Sequence, residues 1–188
     1  MENSLISKVE KWVKEIHSNA DHLIRTGYWI KKIYPSANEA LIIAAISHDI
    51  ERAFKEGMES RIDKMKGIKW DDATYSQMHS CRSAKFVEDF LSKQKANPLL
   101  IKEVFELVSH HEEGGWKEAN YLRDADSISF LETMVPFFIS KIPSEISKVE
   151  VKQKFDYMFE RIGSKKARIL ARPFYEDSLN KMKLINEF

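Results

Sequence analysis

Apolar residues recur every three or four positions along most of the chain, which is the spacing that places them on one face of an α-helix. The spacing is clear from Leu5 to Ile16 and again in the segment that ends near Pro35. Residues 40–46, ALIIAAI, are apolar without interruption, which predicts a central, buried helix. The pattern therefore predicts an all-α fold, in which about seven to eight helices form a single compact domain.

Capping residues and prolines predict where individual helices begin and end. Ser36 and Glu39 have the spacing of a capping box, so the third helix is predicted over residues 38–52. Asn97 followed by Pro98 predicts the start of the fifth helix, which continues through His110. The other long helices are predicted over about residues 74–95, 120–141 with a kink at Pro136, 143–163, and 164 onward with a kink at Pro173; residues 55–70 are predicted to run over the surface.

Composition narrows the possible functions. The 188 residues carry a net charge of +1, so we expect no nucleic-acid partner. No run approaches the ~18 apolar residues that a membrane span needs, and the first residues do not have the pattern of a signal peptide. A single cysteine, Cys81, excludes an intramolecular disulfide. We expect a cytoplasmic protein without a membrane partner, either a monomer or a homodimer.

A histidine and an aspartate follow directly on the apolar run, at His48 and Asp49. A buried carboxylate there costs several kcal/mol unless a charge pairs with it, and a divalent cation is one such charge. The alternative is that the pair forms a solvent-exposed helix end. Further histidines and aspartates lie on other predicted helices, whereas His17 lies outside this set. The set comprises His22, His79, His110, His111, Asp124 and Asp126.

The order His22, His48-Asp49, Asp126 in a helical chain resembles the HD-domain superfamily of metal-dependent phosphohydrolases. The similar segments are DHLIR, AAISHDIER and DADSISFLE, and the resemblance covers about residues 20–135. It implies that these four residues hold a divalent metal ion, with Asp126 rather than Asp124 as the last ligand. Imidazole and carboxylate ligands suit Mn, Fe, Co, Ni, Zn or Mg. The helices of residues 144–188 are expected to pack on this core.

Some members of the superfamily bind two metals, and His79 with His110 or His111 has the order of the additional ligands. Asp49 would then bridge the ions. Adjacent helical residues point about 100° apart, so His110 and His111 do not both bind one ion unless the helix ends between them. The alternative is that these histidines contact the phosphate of a substrate.

The resemblance implies hydrolysis of a phosphate ester of a small metabolite, with a nucleotide among the candidates, by a water whose pKa the metal lowers. Several members have a glutamate three residues after the HD aspartate, where this chain has Arg52. Glu51 and Asp124 are therefore the candidates for proton transfer. Four arginines lie three or four residues from a ligand and are predicted either to bind phosphate or to form salt bridges: Arg25, Arg52, Arg82 and Arg123.

Two other functions remain open. A chain that keeps the metal ligands but lacks a competent base is a non-catalytic module that binds a metal or a nucleotide in signalling. A few HD-type proteins use six such ligands for oxygen chemistry at two irons. Metal content, turnover and dependence on O₂ distinguish the three.

Overall fold

The computed structural model describes residues 4–54 and 73–185. Within these ranges the chain forms nine α-helices, one 3₁₀ helix and no strand, which confirms the predicted all-α, single-domain fold. The predicted surface stretch at residues 55–70 lies outside the described residues. The helices are α1 (Leu5–Ile16), α2 (Ala20–Ile33), α3 (Glu39–Ser47), the 3₁₀ helix (Ile50–Phe54), α4 (Ala73–Lys93), α5 (Pro98–Ser109), α6 (Lys117–Thr133), α7 (Val135–Ile139), α8 (Lys148–Glu160) and α9 (Lys165–Lys183).

Helix α3 lies at the centre of the bundle, as its apolar sequence predicts. It packs against α1, α2, α5 and α6, and its residues from Ala40 to Ile46 are buried except for Ile42, which is half-buried. Helix α2 approaches α3 at Gly27, where an added Cβ would collide with Cγ2 of Ile46. This close approach is what brings the first turn of α2 beside the end of α3.

The cap of α3 differs from the prediction. Asn38 is the N-cap, and its side-chain oxygen accepts a hydrogen bond from the Leu41 backbone N–H. The predicted capping box at residues 36–39 is therefore wrong, because Asn38 supplies the acceptor itself. The structure contains a capping box elsewhere, where Ser147 and Glu150 begin α8.

Several predicted helix bounds are also wrong. Helix α3 ends at Ser47 instead of continuing to residue 52, and the chain turns into the 3₁₀ helix. The predicted helix at 120–141 is two helices, since Pro136 lies in the first turn of the short α7. Helix α8 begins after Ser147, not at Pro143. Helix α9 runs through Pro173 without a break; Pro173 and Ile169, whose carbonyl loses its helical donor, are both solvent-exposed.

The C-terminal helices pack on the rest of the bundle, with α9 against α6 and α8, and α8 against α6 and α7. Helix α6 also lies along α2, so it is flanked on one side by the N-terminal helices and on the other by the C-terminal ones. Among residues 4–54 and 73–185, no helix has the length and apolar character that crossing a bilayer requires.

Candidate metal centre

The turn that follows α3 buries its histidine. His48 caps the helix, is 1% exposed and donates from Nδ1 to the Ala45 carbonyl at 2.9 Å. Asp49 is half-buried, with its side chain 17% exposed. The pair is therefore not a solvent-exposed helix end, and its carboxylate has to be balanced by charges within the fold.

A first ligand group forms where α2, the end of α3 and α6 meet, and it consists of His22, His48 and Asp126. The Oδ1 atom of Asp126 lies 3.1 Å from Nε2 of His22 and 3.3 Å from Nε2 of His48. Donor atoms of the three residues all lie within 4.8 Å of one another. Three residues far apart in sequence thus direct their metal-binding atoms at one point.

A second ligand group lies beside the first and consists of Asp49, His79, His111 and Glu112. Asp49 Oδ1 is 2.5 Å from Nε2 of His79 and 3.6 Å from Nε2 of His111. Glu112 Oε1 is 3.8 Å from the same His111 atom. The imidazoles of His48 and His111 are 4.9 Å apart between ring centroids, and His48, Asp49 and His111 could also share one ion. The two groups are therefore contiguous.

The hydrogen bonds at Nδ1 orient all four imidazoles in the same way. His48 and His111 donate to the Ala45 and Val108 carbonyls, and His79 donates to the Glu51 carboxylate at 2.6 Å. The Ser129 hydroxyl gives its proton to the His22 carbonyl, so it accepts the hydrogen bond from His22 Nδ1. Because each Nδ1 carries a proton, each neutral ring presents its Nε2 lone pair to the ligand groups, as metal-binding histidines do.

The Nε2 atoms of His48 and His111 are buried, and neither makes a hydrogen bond of regular geometry among the described residues, although Asp126 Oδ1 and Asp49 Oδ1 lie only 3.3 and 3.6 Å away from them. A lone pair facing a carboxylate is repelled by it unless a proton or a cation lies between them. Ligands of one ion at about 2.1 Å are separated from each other by roughly 3.0–3.4 Å. The separations of 3.1 and 3.3 Å in the first group match this value, so its residues fit a divalent ion.

Strong charge interactions keep the carboxylates ionised. Burial alone would raise the pKa of Asp126, but the Arg161 guanidinium at 2.5 Å and the two histidine hydrogen bonds hold it well below the usual range. Burial opposes ionisation of Asp49 too, and Arg52 with His79 lowers its pKa well below that range. Burial also opposes ionisation of Glu112, but the charges of Arg161 and His111 together lower its pKa to about 2.

The negative charge of these carboxylates also changes the pKa of His48. Burial disfavours protonation of His48, yet the hydrogen bond and charge of Asp126 raise its pKa to about 9. A divalent ion competes with that proton for the same lone pair. The site therefore binds a positive charge in both cases, either as a proton on His48 or as a divalent ion.

A cavity of about 420 Å³ opens beside both groups. Its lining includes charged, polar and apolar side chains. The charged and polar side chains belong to His17, Asn19, His22, Asp49, Arg52, Tyr75, Glu112, Asp126, Lys154 and Arg161, and the apolar ones to Phe130, Met134, Phe137, Phe138 and Met158.

The structure brings together the predicted ligands other than His110, and it places the candidate base Asp124 away from them. His111 joins the second group, whereas the His110 ring packs against Trp116 and its Nδ1 bonds to the Glu106 carbonyl. Helix α5 stops at Ser109, so His110 is its C-cap and His111 lies in the turn beyond it. Asp124 accepts from the backbone N–H groups of Gly163 and Ser164, so its carboxylate holds the start of α9 and does not line the cavity.

The predicted arginines divide in the same manner. Arg52 lines the cavity and pairs with Asp49 at 3.0 Å. The other three do not line the cavity and have protein partners: Arg25 bonds to Glu132, Arg82 to Glu51, and Arg123 to the Glu113 carbonyl. Glu51 itself is buried behind His79 and orients that ring.

Among the cavity residues that were missed from sequence, four carry acidic or basic side chains. Glu112 directly follows His111, and that adjacency was a usable signal. Lys154 and Arg161 lie on α8, beyond the segment that carries the resemblance, and nothing in their local sequence distinguishes them. His17 is predicted to lie outside the set, yet it lines the cavity. Its Nδ1 accepts a hydrogen bond from the Asn19 N–H. Burial lowers the pKa of His17, although the negative charge of Asp49 opposes this.

Comparisons of the chain with protein-family models, with curated proteins and with solved structures found no match.

Proposed function

We propose that this protein is a metal-dependent phosphohydrolase of the HD type, which cleaves the phosphate ester of a small metabolite. The observation that carries the proposal is the common orientation of His22, His48, His79 and His111, whose Nδ1 atoms are all tied and whose Nε2 atoms converge on Asp49 and Asp126. Orienting four rings in a buried site serves ion binding better than it serves packing.

The charge of the cavity supports an anionic substrate. Its lining holds three carboxylates, on Asp49, Glu112 and Asp126, and three cationic side chains, on Arg52, Lys154 and Arg161. Burial lowers the pKa of Lys154 to about 8, which leaves it mostly charged at neutral pH. The lining is thus close to neutral, and each divalent ion adds two positive charges that a phosphate dianion balances.

The chain's own residues then bind and orient the substrate. When bound, a divalent ion lowers the pKa of coordinated water and polarises a phosphoryl oxygen. Arg52 and Lys154 are placed to contact the remaining phosphate oxygens, since both line the cavity. Glu112 uses Oε2 for Arg161 and keeps Oε1 near His111, where it can accept a hydrogen bond from water.

The test is elemental analysis of the purified protein beside Asp49→Ala, with Asp89→Ala on the exposed face of α4 as the matched control. Each is assayed for phosphate release from nucleotides and other small phosphate esters with Mn, Co, Ni and Mg. We expect at least one metal per chain and turnover in the wild type and the control. Asp49→Ala is expected to lose metal and more than about 100-fold in activity.

Other outcomes decide against the proposal. A wild-type chain that stays metal-free and inactive overturns it. Tight nucleotide binding without turnover indicates the non-catalytic module instead.

A di-iron oxygenase is the second candidate, and the observation that favours it is the contiguity of the two ligand groups around Asp49. Two irons per chain and a product that forms only with O₂ would select it. Phosphate release that continues without O₂ selects the hydrolase.

A further inference from the structure

We infer that the substrate's alcohol is compact and apolar, so that the protein acts on monoesters of small hydrophobic alcohols rather than on nucleotides. This inference rests on the proposed function, and it follows from the unequal lining of the cavity. Besides its charged groups, the cavity is lined by five apolar side chains, and four of them come from the end of α6, its C-cap and α7.

Helix α6 and its C-cap supply one charged and two apolar residues of the cavity lining, all on one side of the helix. Asp126, Phe130 and Met134 follow at four-residue intervals, so they share one face of the helix. Four residues rise about 6 Å along a helix. The α-carbons of Phe130 and Met134 therefore lie about 6 and about 12 Å along the helix axis from that of Asp126.

The short helix α7 and helix α8 complete the apolar part. Phe137 and Phe138 line the cavity from α7, and Met158 lines it from α8. The Phe130 and Phe138 rings contact each other with centroids 5.1 Å apart. Phe137 is 43% exposed although it lines a cavity, so its ring has apolar surface that a ligand can cover.

The five apolar side chains form what is called here the apolar wall, and a nucleoside or a sugar is poorly matched to it. None of these five side chains has a nitrogen or oxygen atom, and the Nζ atom of Lys154 lies 5.4 Å from the Phe130 ring centroid. Base edges and hydroxyl groups buried there would lose hydrogen bonds to water, which costs about 1–3 kcal/mol for each unsatisfied group. An alkyl or aryl group loses none and gains from burial.

The cavity volume limits the size of the substrate. About 420 Å³ lies near the lower end of the roughly 300–1,000 Å³ typical of small-molecule sites. A monoester with a short chain or one ring fits this volume, whereas a dinucleotide or a long lipid is too large.

The first experiment measures binding, so that it does not depend on turnover. Methyl-, ethyl-, propyl- and butylphosphonate are titrated into the Mn²⁺-loaded protein by calorimetry. We expect Kd to fall two- to fourfold with each added methylene, the upper value corresponding to full burial. A Kd that is constant or rises along the series overturns the inference.

A pair of variants tests whether the apolar wall causes the dependence of Kd on chain length. Phe137→Asn is expected to reduce the affinity for butylphosphonate about tenfold and to leave that for methylphosphonate unchanged. Ile169→Asn, an equivalent change at an exposed position of α9 outside the cavity, is expected to change neither. Equal losses for both phosphonates in Phe137→Asn would count against the wall.

Turnover separates this inference from the proposed function. We expect phosphate release from butyl and phenyl phosphate at kcat/KM at least tenfold above that for AMP and glycerol 3-phosphate. A chain-length effect on Kd without phosphate release from any ester rejects the hydrolase and keeps the apolar ligand. Turnover that favours AMP or glycerol 3-phosphate rejects the apolar alcohol and keeps the hydrolase. Absence of both phosphonate binding and phosphate release rejects both.

Discussion

The two ligand groups lie side by side but differ in composition. The first has two imidazoles and one carboxylate, on His22, His48 and Asp126. The second has two imidazoles and the carboxylates of Asp49 and Glu112, with the buried Glu51 directly behind one ring. The second group therefore concentrates more negative charge, which Arg52, Arg82 and Arg161 balance.

This difference indicates unequal roles. A hydroxyl and a backbone carbonyl orient the rings of the first group, and both are supplied by well-packed helices. In the second group a carboxylate orients His79, and that carboxylate also depends on its salt bridge to Arg82. Nitrogen-rich sites favour Zn, Fe, Co or Ni, and oxygen-rich sites favour Mn or Mg. We expect the first group to hold its ion more tightly and the second to exchange it more readily.

The largest effect is expected from removing the carboxylate of the first group. Asp126→Asn should remove one metal equivalent per chain and leave the second group's ion in place. It should also lower the free energy of unfolding by about 3 kcal/mol, because the buried guanidinium of Arg161 loses one of its two carboxylate partners. Elemental analysis measures the first quantity, and urea unfolding of the metal-free protein measures the second.

The matched control for Asp126→Asn is Asp177→Asn, which removes a solvent-exposed ion pair with Lys181. It should cost less than about 1 kcal/mol and leave the metal content unchanged. Loss of both ions from Asp126→Asn would contradict the division into two groups.

An intermediate effect is expected from the residues that orient the rings. Glu51→Gln weakens the hydrogen bond at His79 Nδ1 and should lower the affinity of the second ion about 10- to 100-fold, with the first unchanged. Ser129→Ala removes the partner of His22 Nδ1 and should weaken the first ion by about tenfold, with the second unchanged. Stepwise metal titrations of both variants measure the two affinities separately. If either variant weakens both ions equally, the groups act as one site.

The fold could be predicted further than the site. Apolar spacing identified the long helices, and the uninterrupted run at residues 40–46 identified the central one. Where a helix ends depends on competition between local caps, and Asn38 takes the place of the predicted box with a single side chain. Spacing along a helix also cannot show whether a neighbouring helix already supplies a partner. That is why Arg25 has the same offset from a ligand as a phosphate-binding residue and yet bonds to Glu132.

The histidines and aspartates of the two ligand groups could be predicted because they follow one another along the chain in the order that the resemblance supplies, whereas Glu112 could not be predicted from that order. The charge that surrounds them could not be predicted either, because Arg161 and Lys154 reach the centre from α8 through tertiary packing alone. The same holds for Asp124, whose position beside Asp126 resembles a catalytic one, although its contacts are with the backbone of α9.

The smallest effect is expected from two arginines, each of which lies three residues after one member of a ligand group. Arg52 lies three residues after Asp49 and lines the cavity, and Arg25 lies three residues after His22 and bonds to Glu132 through two nitrogens. Arg52→Gln should raise KM for a phosphate ester about tenfold because a cation beside the phosphate is lost. Arg25→Gln should leave KM within twofold and reduce the free energy of unfolding by less than about 1 kcal/mol, since its ion pair is partly solvated. Steady-state kinetics measures KM, and urea unfolding measures the free energy of unfolding, for each variant. A tenfold rise of KM in Arg25→Gln would mean that this arginine leaves Glu132 to bind substrate, and that the first group has its own phosphate contact.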